Sequence, residues 1–328
     1  VSAPRWRTAA GLIGGLAWVI ATVGVGAHFV GMTSTLVAWI AAFTPVAVLV
    51  SAVAVVLLLI GGHRWVAVAA TVVLLVGIGT QAPLYRAGAP VESSGPSVRV
   101  MQANIRLGGA DPVALVDSVD AHGVDLLTVI ELTDSAAAKL ADAGLEDALP
   151  NTCGHPRPGG GGAGIYSRHP LRECARLDGF VLNNLRAVAE IPGAAPTAVY
   201  ALHPLPPYPE PAWKWVYELK RLRPIFAAEP YPMIVGADFN STYDHRQYRD
   251  LLSNSTPNGG ASLIDAAEYL GAGVVPTYPA DRMLPPVLAI DRILARGWVP
   301  MSFTRFDLPG SDHLGVVGAL QLPEMNSN

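Results

Sequence analysis

The 328-residue sequence predicts an α/β domain, its sheets covered by helices, preceded by three membrane-spanning helices. Three observations lead there. Charged side chains are almost missing from the first 85 residues, which hold only Arg5, Arg7 and Arg64. Beyond residue 97, apolar runs of strand length alternate with helical patterns. Most of those runs also carry a polar, chemically capable side chain at one end.

The expected membrane domain covers residues 1–86. Residues 8–27, 35–60 and 65–84 contain no charge. Each segment is about 20 residues or longer, and at roughly 1.5 Å per residue that crosses a hydrocarbon core of about 30 Å. Pro45 is tolerable in the second segment because neighbouring helices can satisfy the carbonyl it frees. A cleaved signal peptide followed by buried core helices is the alternative, but three uncharged segments in a row do not suit a soluble core.

Arg5 and Arg7 precede the first span. The link around Gly31-Met32-Thr33-Ser34 has no Lys or Arg, whereas Gly61-Gly62-His63-Arg64 has one. The positive-inside rule therefore puts the N-terminus and the second link in the cytoplasm, and everything after residue 85 outside; Arg86 opposes this slightly. Cys153 and Cys174 both lie in that outer part. A disulfide between them suits an oxidising compartment, and two buried free thiols are the other reading.

Residues 87–97, "AGAPVESSGPS", form a Pro/Gly/Ser linker, and a catalytic domain is expected over 98–328. Residues 1–96 hold four arginines and Glu92 out of the chain's 22 basic and 26 acidic side chains, which leaves 18 against 25 beyond them, a net charge of −7. That balance does not favour nucleic acid as a partner, because a phosphate backbone wants a basic face. The glycines of 157–164, "RPGGGGAG", read as a flexible turn, since no Lys-Ser/Thr follows to make a phosphate loop.

Strands are expected at 98–103, 126–130, 164–167, 198–202, 233–236, 287–290 and 314–320. Asp111-Pro112 opens a helix that runs to about His122, and residues 213–227 form another, interrupted near Pro224. The strand ends deliver Asn104, Glu131, His203, Asp238 with Asn240, and Asp291, while Asp312-His313 opens the last strand. Six such positions are hard to explain as separate caps. C-ends of some strands and N-ends of antiparallel ones can meet along one edge and make a shared site.

In this order, "VMQANI", "VIELT", "GIYSRHPL", "ALHPLPP", "IVGADFNST", "LAIDRIL" and "GSDHLGV" resemble the endonuclease/exonuclease/phosphatase superfamily, from residue 97 to about 322. Deoxyribonuclease I, abasic-site endonucleases, inositol polyphosphate 5-phosphatases and neutral sphingomyelinases belong to it. The resemblance implies a two-sheet β-sandwich flanked by helices, similar to deoxyribonuclease I, and Mg²⁺-dependent cleavage of phosphate esters, with Mn²⁺ as an alternative ion.

It also implies roles. Glu131, Asn104 and Asp312 are the expected metal ligands; Mg²⁺ prefers oxygen donors, and a cation relieves the cost of a carboxylate at the end of an apolar strand. Asp238 is expected on the attacking water and Asn240 on a phosphate oxygen, although "ADFNST" also suits an Asx-turn. His313 and Asp291 resemble the family's His–Asp pair, in which a carboxylate fixes the imidazole tautomer and raises its pKa. Either Asp238 or His313 can be the general base. His203 is expected to hydrogen-bond the phosphate or protonate the leaving oxygen. Some members carry an acid where this chain has Arg106, so one metal is expected rather than two; Arg106 contacts phosphate or is a surface arginine.

Residues 204–226 are rich in Trp, Tyr and Pro. They either grip a lipid headgroup at a bilayer or pack a helix on the sandwich. The expected function is a membrane-anchored, extracytoplasmic phosphodiesterase acting on lipid or envelope phosphoesters. An extracellular nuclease is the alternative. A non-catalytic scaffold is a third reading, against which the complete set of acids, amides and histidines counts.

Overall fold

The computed structural model describes residues 4–89, 95–253 and 262–323, so part of the expected linker lies outside the described residues. The chain begins with helices α1 (Arg5–Ala27), α2 (Thr35–Ala42), α3 (Thr44–Gly61) and α4 (Arg64–Gln81), the last prolonged by a 3₁₀ turn, Ala82–Tyr85. Segments Arg5–Ala27, Thr44–Gly61 and Arg64–Tyr85 are long and apolar enough to cross a membrane.

The second apolar segment is not one helix, as expected, but two. Phe43 leaves helical geometry with φ −103° and ψ 19°. Pro45 is the cause, since it has no N–H for the carbonyl of Ala41 and its ring crowds that carbonyl. The Thr44 hydroxyl donates to Ala41 O instead, at 2.9 Å. Helices α1 and α3 approach closely through small residues: a Cβ on Gly24 would lie 2.4 Å from that of Ala47.

The second part runs β1 (Ser97–Asn104), α5 (Pro112–His122), β2 (Leu126–Ile130), α6 (Asp134–Asp142), α7 (Leu145–Ala148), β3 (Asn151–His155), β4 (Ala163–Ser167), β5 (Leu171–Arg176), β6 (Leu185–Ala189) and β7 (Thr197–Leu202). It continues with α8 (Ala212–Ala228), β8 (Met233–Asp238), α9 (Arg246–Ser253), β9 (Ile264–Asp265), α10 (Ala266–Tyr269), β10 (Asp291–Arg296), β11 (Val299–Phe306) and β12 (Gly315–Gln321). The strands form two six-stranded sheets, ordered β11-β12-β1-β2-β4-β3 and β5-β6-β7-β8-β10-β9. Their inner faces share one core that includes Val100, Ile130, Val199, Ile234 and Trp298. On the outer faces, α5 and α6 cover the first sheet, and α8 and α9 cover the second.

Six of the expected strands are present within a residue or two. The run at 287–290 is not a strand: it makes a single bridge, Tyr278 to Leu288. Pro285 and Pro286 precede it and cannot donate to a ladder. The strand is the next segment, β10, so Asp291 opens a strand rather than ending one. Helix α8 passes through Pro224 without ending there. In the aromatic segment, Trp215 is buried and donates Nε1–H to Ser241 Oγ at 3.1 Å, whereas Tyr208, Trp213 and Tyr217 are exposed. Asp111 caps α5 as expected, accepting from the N–H groups of Val113 and Ala114. Cys153 and Cys174 are disulfide-bonded, with Cα atoms 5.5 Å apart.

The catalytic candidates meet a helical wall

Register, rather than any one loop, assembles the site. In the first sheet β1 and β2 are parallel, with Asn104 beside Ile130, so Glu131 follows at the same edge. Strand β12 runs antiparallel to β1, which sets its entrance, His313, beside the end of β1. In the second sheet β7 and β8 are parallel with Leu202 beside Ala237, so His203 falls next to Asp238. Strand β10 is antiparallel to β8 with Asp291 opposite Asp238. Each sheet thus supplies three side chains to one edge. The sheets come close there because Gly236 lacks a Cβ, which would lie 2.0 Å from Thr128 Oγ1.

The Asn104 amide nitrogen links the two sheets. It donates to Glu131 Oε1 at 3.0 Å and to Asp238 Oδ2 at 3.2 Å. Its oxygen accepts from the Arg106 N–H at 3.0 Å. Glu131, at φ 61°, is turned so that its other oxygen accepts from Leu107 N–H at 2.7 Å. His313 Nδ1 is 2.8 Å from Asp291 Oδ2, and its Nε2 is 3.8 Å from Asp238 Oδ2. His203 Nε2 lies 3.7 Å from the same Asp238 oxygen.

Burial and charge set the protonation states. Burial pushes the Asp238 carboxyl up to about 7, and Asp291 opposite it adds to the effect. Burial acts to lower the His313 pKa, but Asp291, through its charge and hydrogen bond, and Asp238 outweigh this and raise it to about 10. His203 is lowered, chiefly by burial. At neutral pH His313 is therefore an imidazolium and His203 is neutral.

Asp238 makes the Asx-turn that "ADFNST" allows, its Oδ1 accepting from Asn240 N–H at 2.8 Å; Asn240 has φ 49°, and its side chain, which donates Nδ2–H to Pro204 O at 3.1 Å, lines the pocket. Arg106 pairs with Asp281 at 3.1 Å and approaches Asp312 at 3.9 Å. Asp312 lines the pocket, but among the described residues the clustered ligand-type atoms are those of Asp238, Asp291 and His313, all within 4.8 Å of one another.

A divalent cation fits this edge by the chemistry of its donors. Glu131 and Asp238 point two carboxylates at one spot, where the Asn104 NH2 group bridges them, and one oxygen of buried Asp291 has no hydrogen-bond partner. Such oxygen-rich sets suit Mg²⁺. His313 is the least suited of the cluster to ligate, because Asp291 engages its Nδ1 and holds the ring protonated.

Sequence reasoning missed the residues that hold these groups. Ser311 Oγ donates to Asn104 O at 2.7 Å and accepts from His313 N–H at 3.0 Å, which ties β1 to the His313 turn. Buried Asn184 accepts from His203 N–H at 2.8 Å. The Tyr278 ring leans on the His313 ring, centroids 4.8 Å apart. Only Ser311, inside "GSDHLGV", carried a sequence signal.

The pocket, about 400 Å³, is lined by Glu131, His203, Asp238, Asn240, Asp312 and His313 on one side, and by Ala38, Trp39 and Ala42 of α2 on another. A polar seam holds the helices there. His245 Nε2–H donates to Ala38 O at 3.0 Å, and burial lowers its pKa to about 4, so it stays neutral. Asp244 meets His28 Nδ1 at 2.7 Å and accepts from Gln81 Nε2 at 2.8 Å. The Thr35 hydroxyl donates to Pro207 O at 3.1 Å.

Residues 101–313 match the model of the endonuclease/exonuclease/phosphatase family. No curated protein matches the chain by sequence. Among solved structures, an endonuclease/exonuclease/phosphatase from Beutenbergia cavernae is similar, with 20% identity and a TM-score of 0.51 over 69% of this chain and 72% of that one. TDP2 from D. rerio, solved with a single strand DNA product, has 15% identity and a TM-score of 0.54 over 69% and 99%. A conserved protein from Enterococcus faecalis has 12% identity and a TM-score of 0.52 over 69% and 100%. At these identities the likeness is one of fold.

Proposed function

Because the chain belongs to the endonuclease/exonuclease/phosphatase family, we propose that it is a membrane-anchored, metal-dependent phosphodiesterase that hydrolyses lipid or other envelope phosphoesters outside the cytoplasm. One observation carries this reading: the pocket that holds His313 and Asp238 has Ala38, Trp39 and Ala42 of α2 as its other wall. A headgroup entering it passes Trp39 and Tyr208, whose rings stand 6.2 Å apart, and such amphipathic rings suit a bilayer interface.

Glu131, Asp312 and the amide oxygen of Asn104, which also accepts from Arg106 N–H, would hold Mg²⁺ or Mn²⁺, with Asp238 adjoining. Once bound, the ion supplies Lewis-acid polarisation of the phosphoryl group and charge stabilisation at the leaving oxygen. Asp238, with a pKa near neutrality, accepts the proton of the attacking water. His313, held positive by Asp291, donates to the phosphoryl oxygens as negative charge builds. Asn240 orients a phosphate oxygen, and Arg106 adds positive charge at the rim while shared with Asp281. Neutral His203 hydrogen-bonds the ester oxygen. The water oxygen joins phosphorus, one P–O ester bond breaks, and the leaving alcohol takes the proton.

Arg5, Arg7 and Arg64 favour a cytoplasmic location for the helix ends away from the domain, and the Cys153–Cys174 bridge suits an oxidising compartment. The rival substrate is nucleic acid. The fold does not argue against it, since D. rerio TDP2 holds a single strand DNA product; the acidic balance does. The test assays the full chain in detergent with Mg²⁺ against phospholipids, single- and double-stranded DNA and sugar phosphates. Turnover of phospholipid is expected, and faster turnover of DNA than of every lipid overturns the reading in favour of a nuclease.

A further inference from the structure

A second cavity adjoins the catalytic one. It is an apolar groove of about 470 Å³ between α1 and the α2–α3 pair, with Gly24 and Ala47 at its base and Ile20, Val23, Val46 and Trp39 along its walls. Gly24 and Ala47 are buried, whereas Ile20, Val23 and Val46 are about half exposed, so the groove exists because two facing residues are small. Trp39 lines both this groove and the catalytic pocket. Around the break at Phe43, Ala38 and Ala42 of α2 line the pocket while Ile40 and Phe43 line the groove, so the two cavities share α2 as a wall.

We infer that the groove holds one hydrocarbon chain of the substrate while its phosphoester lies at Asp238 and His313, so that the helical unit is a substrate-binding part of the active site as well as an anchor. This rests on the phosphodiesterase reading and narrows its substrate to a lipid phosphoester entering from the bilayer. Charge and burial select the occupant. The groove offers no charged group, its lining is Val, Ile, Phe, Trp, Gly and Ala, and it belongs to helices long and apolar enough to span a membrane. The polar side chains that could orient a headgroup, among them Glu131, His203, Asp238, Asn240 and His313, line the pocket and not the groove, and Trp39 lines both. The steep polar-to-apolar change across one side chain matches the headgroup–chain junction of a lipid.

The experiment compares two esters with the same leaving group, hexadecyl p-nitrophenyl phosphate and methyl p-nitrophenyl phosphate, using the full chain in detergent micelles with Mg²⁺. The wild type should prefer the hexadecyl ester in kcat/KM by about 10-fold or more, since each buried methylene favours binding. Ile20→Trp and Val46→Trp fill the groove from opposite walls and should each cut that preference about fivefold or more, mainly through KM. Leu75→Trp, on an exposed face of α4 outside the groove, should keep it. Micelle partitioning is common to all variants and cancels. A hexadecyl-to-methyl ratio in both groove variants equal to that of the wild type overturns the inference, whether or not both rates fall together. If Val46→Trp does not fold, Ile20→Trp on the other wall reads the same ratio. Wild-type protein that cleaves neither ester would refute the phosphodiesterase reading itself and this inference with it.

Discussion

Asp238 and Asp291 are register partners across β8 and β10, two buried carboxylates directly opposite one another in an antiparallel pair. Like charges so placed destabilise a sheet. His313 is the relief: it sits 2.8 Å from one carboxylate and 3.8 Å from the other, and Asp291 keeps it protonated. The arrangement leaves Asp238 as the group free to accept a proton, since its own pKa is held near 7.

From that relationship, metal loss and imidazole loss should fail differently. His313→Ala should keep Mg²⁺ binding and lose turnover by about 10²–10⁴-fold. Asp291→Asn should fall between that variant and wild type, because it disturbs the ring without deleting it. Glu131→Ala should weaken Mg²⁺ affinity and activity together. Calorimetric metal titration alongside a phosphodiesterase assay separates the three. Near wild-type turnover in His313→Ala would show that the "SDH" corner is only a strand entrance.

Topology can be read on intact cells. Protease added to spheroplasts should remove the domain that follows α4, and thiol labelling of unfolded, unreduced protein should find Cys153 and Cys174 blocked. A C-terminal reporter active only in the cytoplasm would reverse the orientation. Two labelled thiols per chain would remove the oxidising-compartment argument.

Stability should depend on Glu268. Burial, then the charge of Asp265, pushes its carboxyl up to about 7. The folded state therefore binds this proton more tightly than the unfolded state, so the contribution is full below the unfolded pKa of about 4.5 and disappears as pH rises through about 7. Glu268→Gln should stabilise the protein at pH 8 by on the order of 1–2 kcal/mol after allowing for solvent screening, and by little at pH 4. Thermal unfolding at both pH values checks it; equal shifts would place the effect elsewhere.

The seam between the helices and the sandwich should depend on Asp244. Asp244→Ala removes the carboxylate shared by the buried His28 and Gln81 side chains, leaving Gln81 Nε2 with Thr80 Oγ1 and His28 Nδ1 with Arg249, at a cost of about 1–3 kcal/mol. A lowered Tm in detergent, with faster proteolysis of the 28–34 link, is expected. An unchanged Tm would mean that the apolar contacts of Ala38 and its neighbours suffice to hold the seam.

Local pattern alone determined a good deal of this protein. Uncharged stretches marked the helices able to span a membrane, and apolar runs leading to Asn104, Glu131, His203 and Asp238 marked strands whose ends meet at one edge. Hydrophobic periodicity and strand length act within a few residues of chain and need no distant partner. Other features depended on partners far away in sequence. Asp291 enters a strand because 285–286 are prolines and the following segment finds β8. Arg106 is drawn to Asp281, and Asn184 and Ser311 matter only through the side chains they hold. Nothing in "TLVAWIAA" announces that α2 will face the pocket of Asp238 and His313. That follows from Pro45 breaking the helix and from His245, some 200 residues on, bonding the carbonyl of Ala38. A side chain's neighbours across such a separation are set by packing of the whole fold, which no local window of the chain encodes.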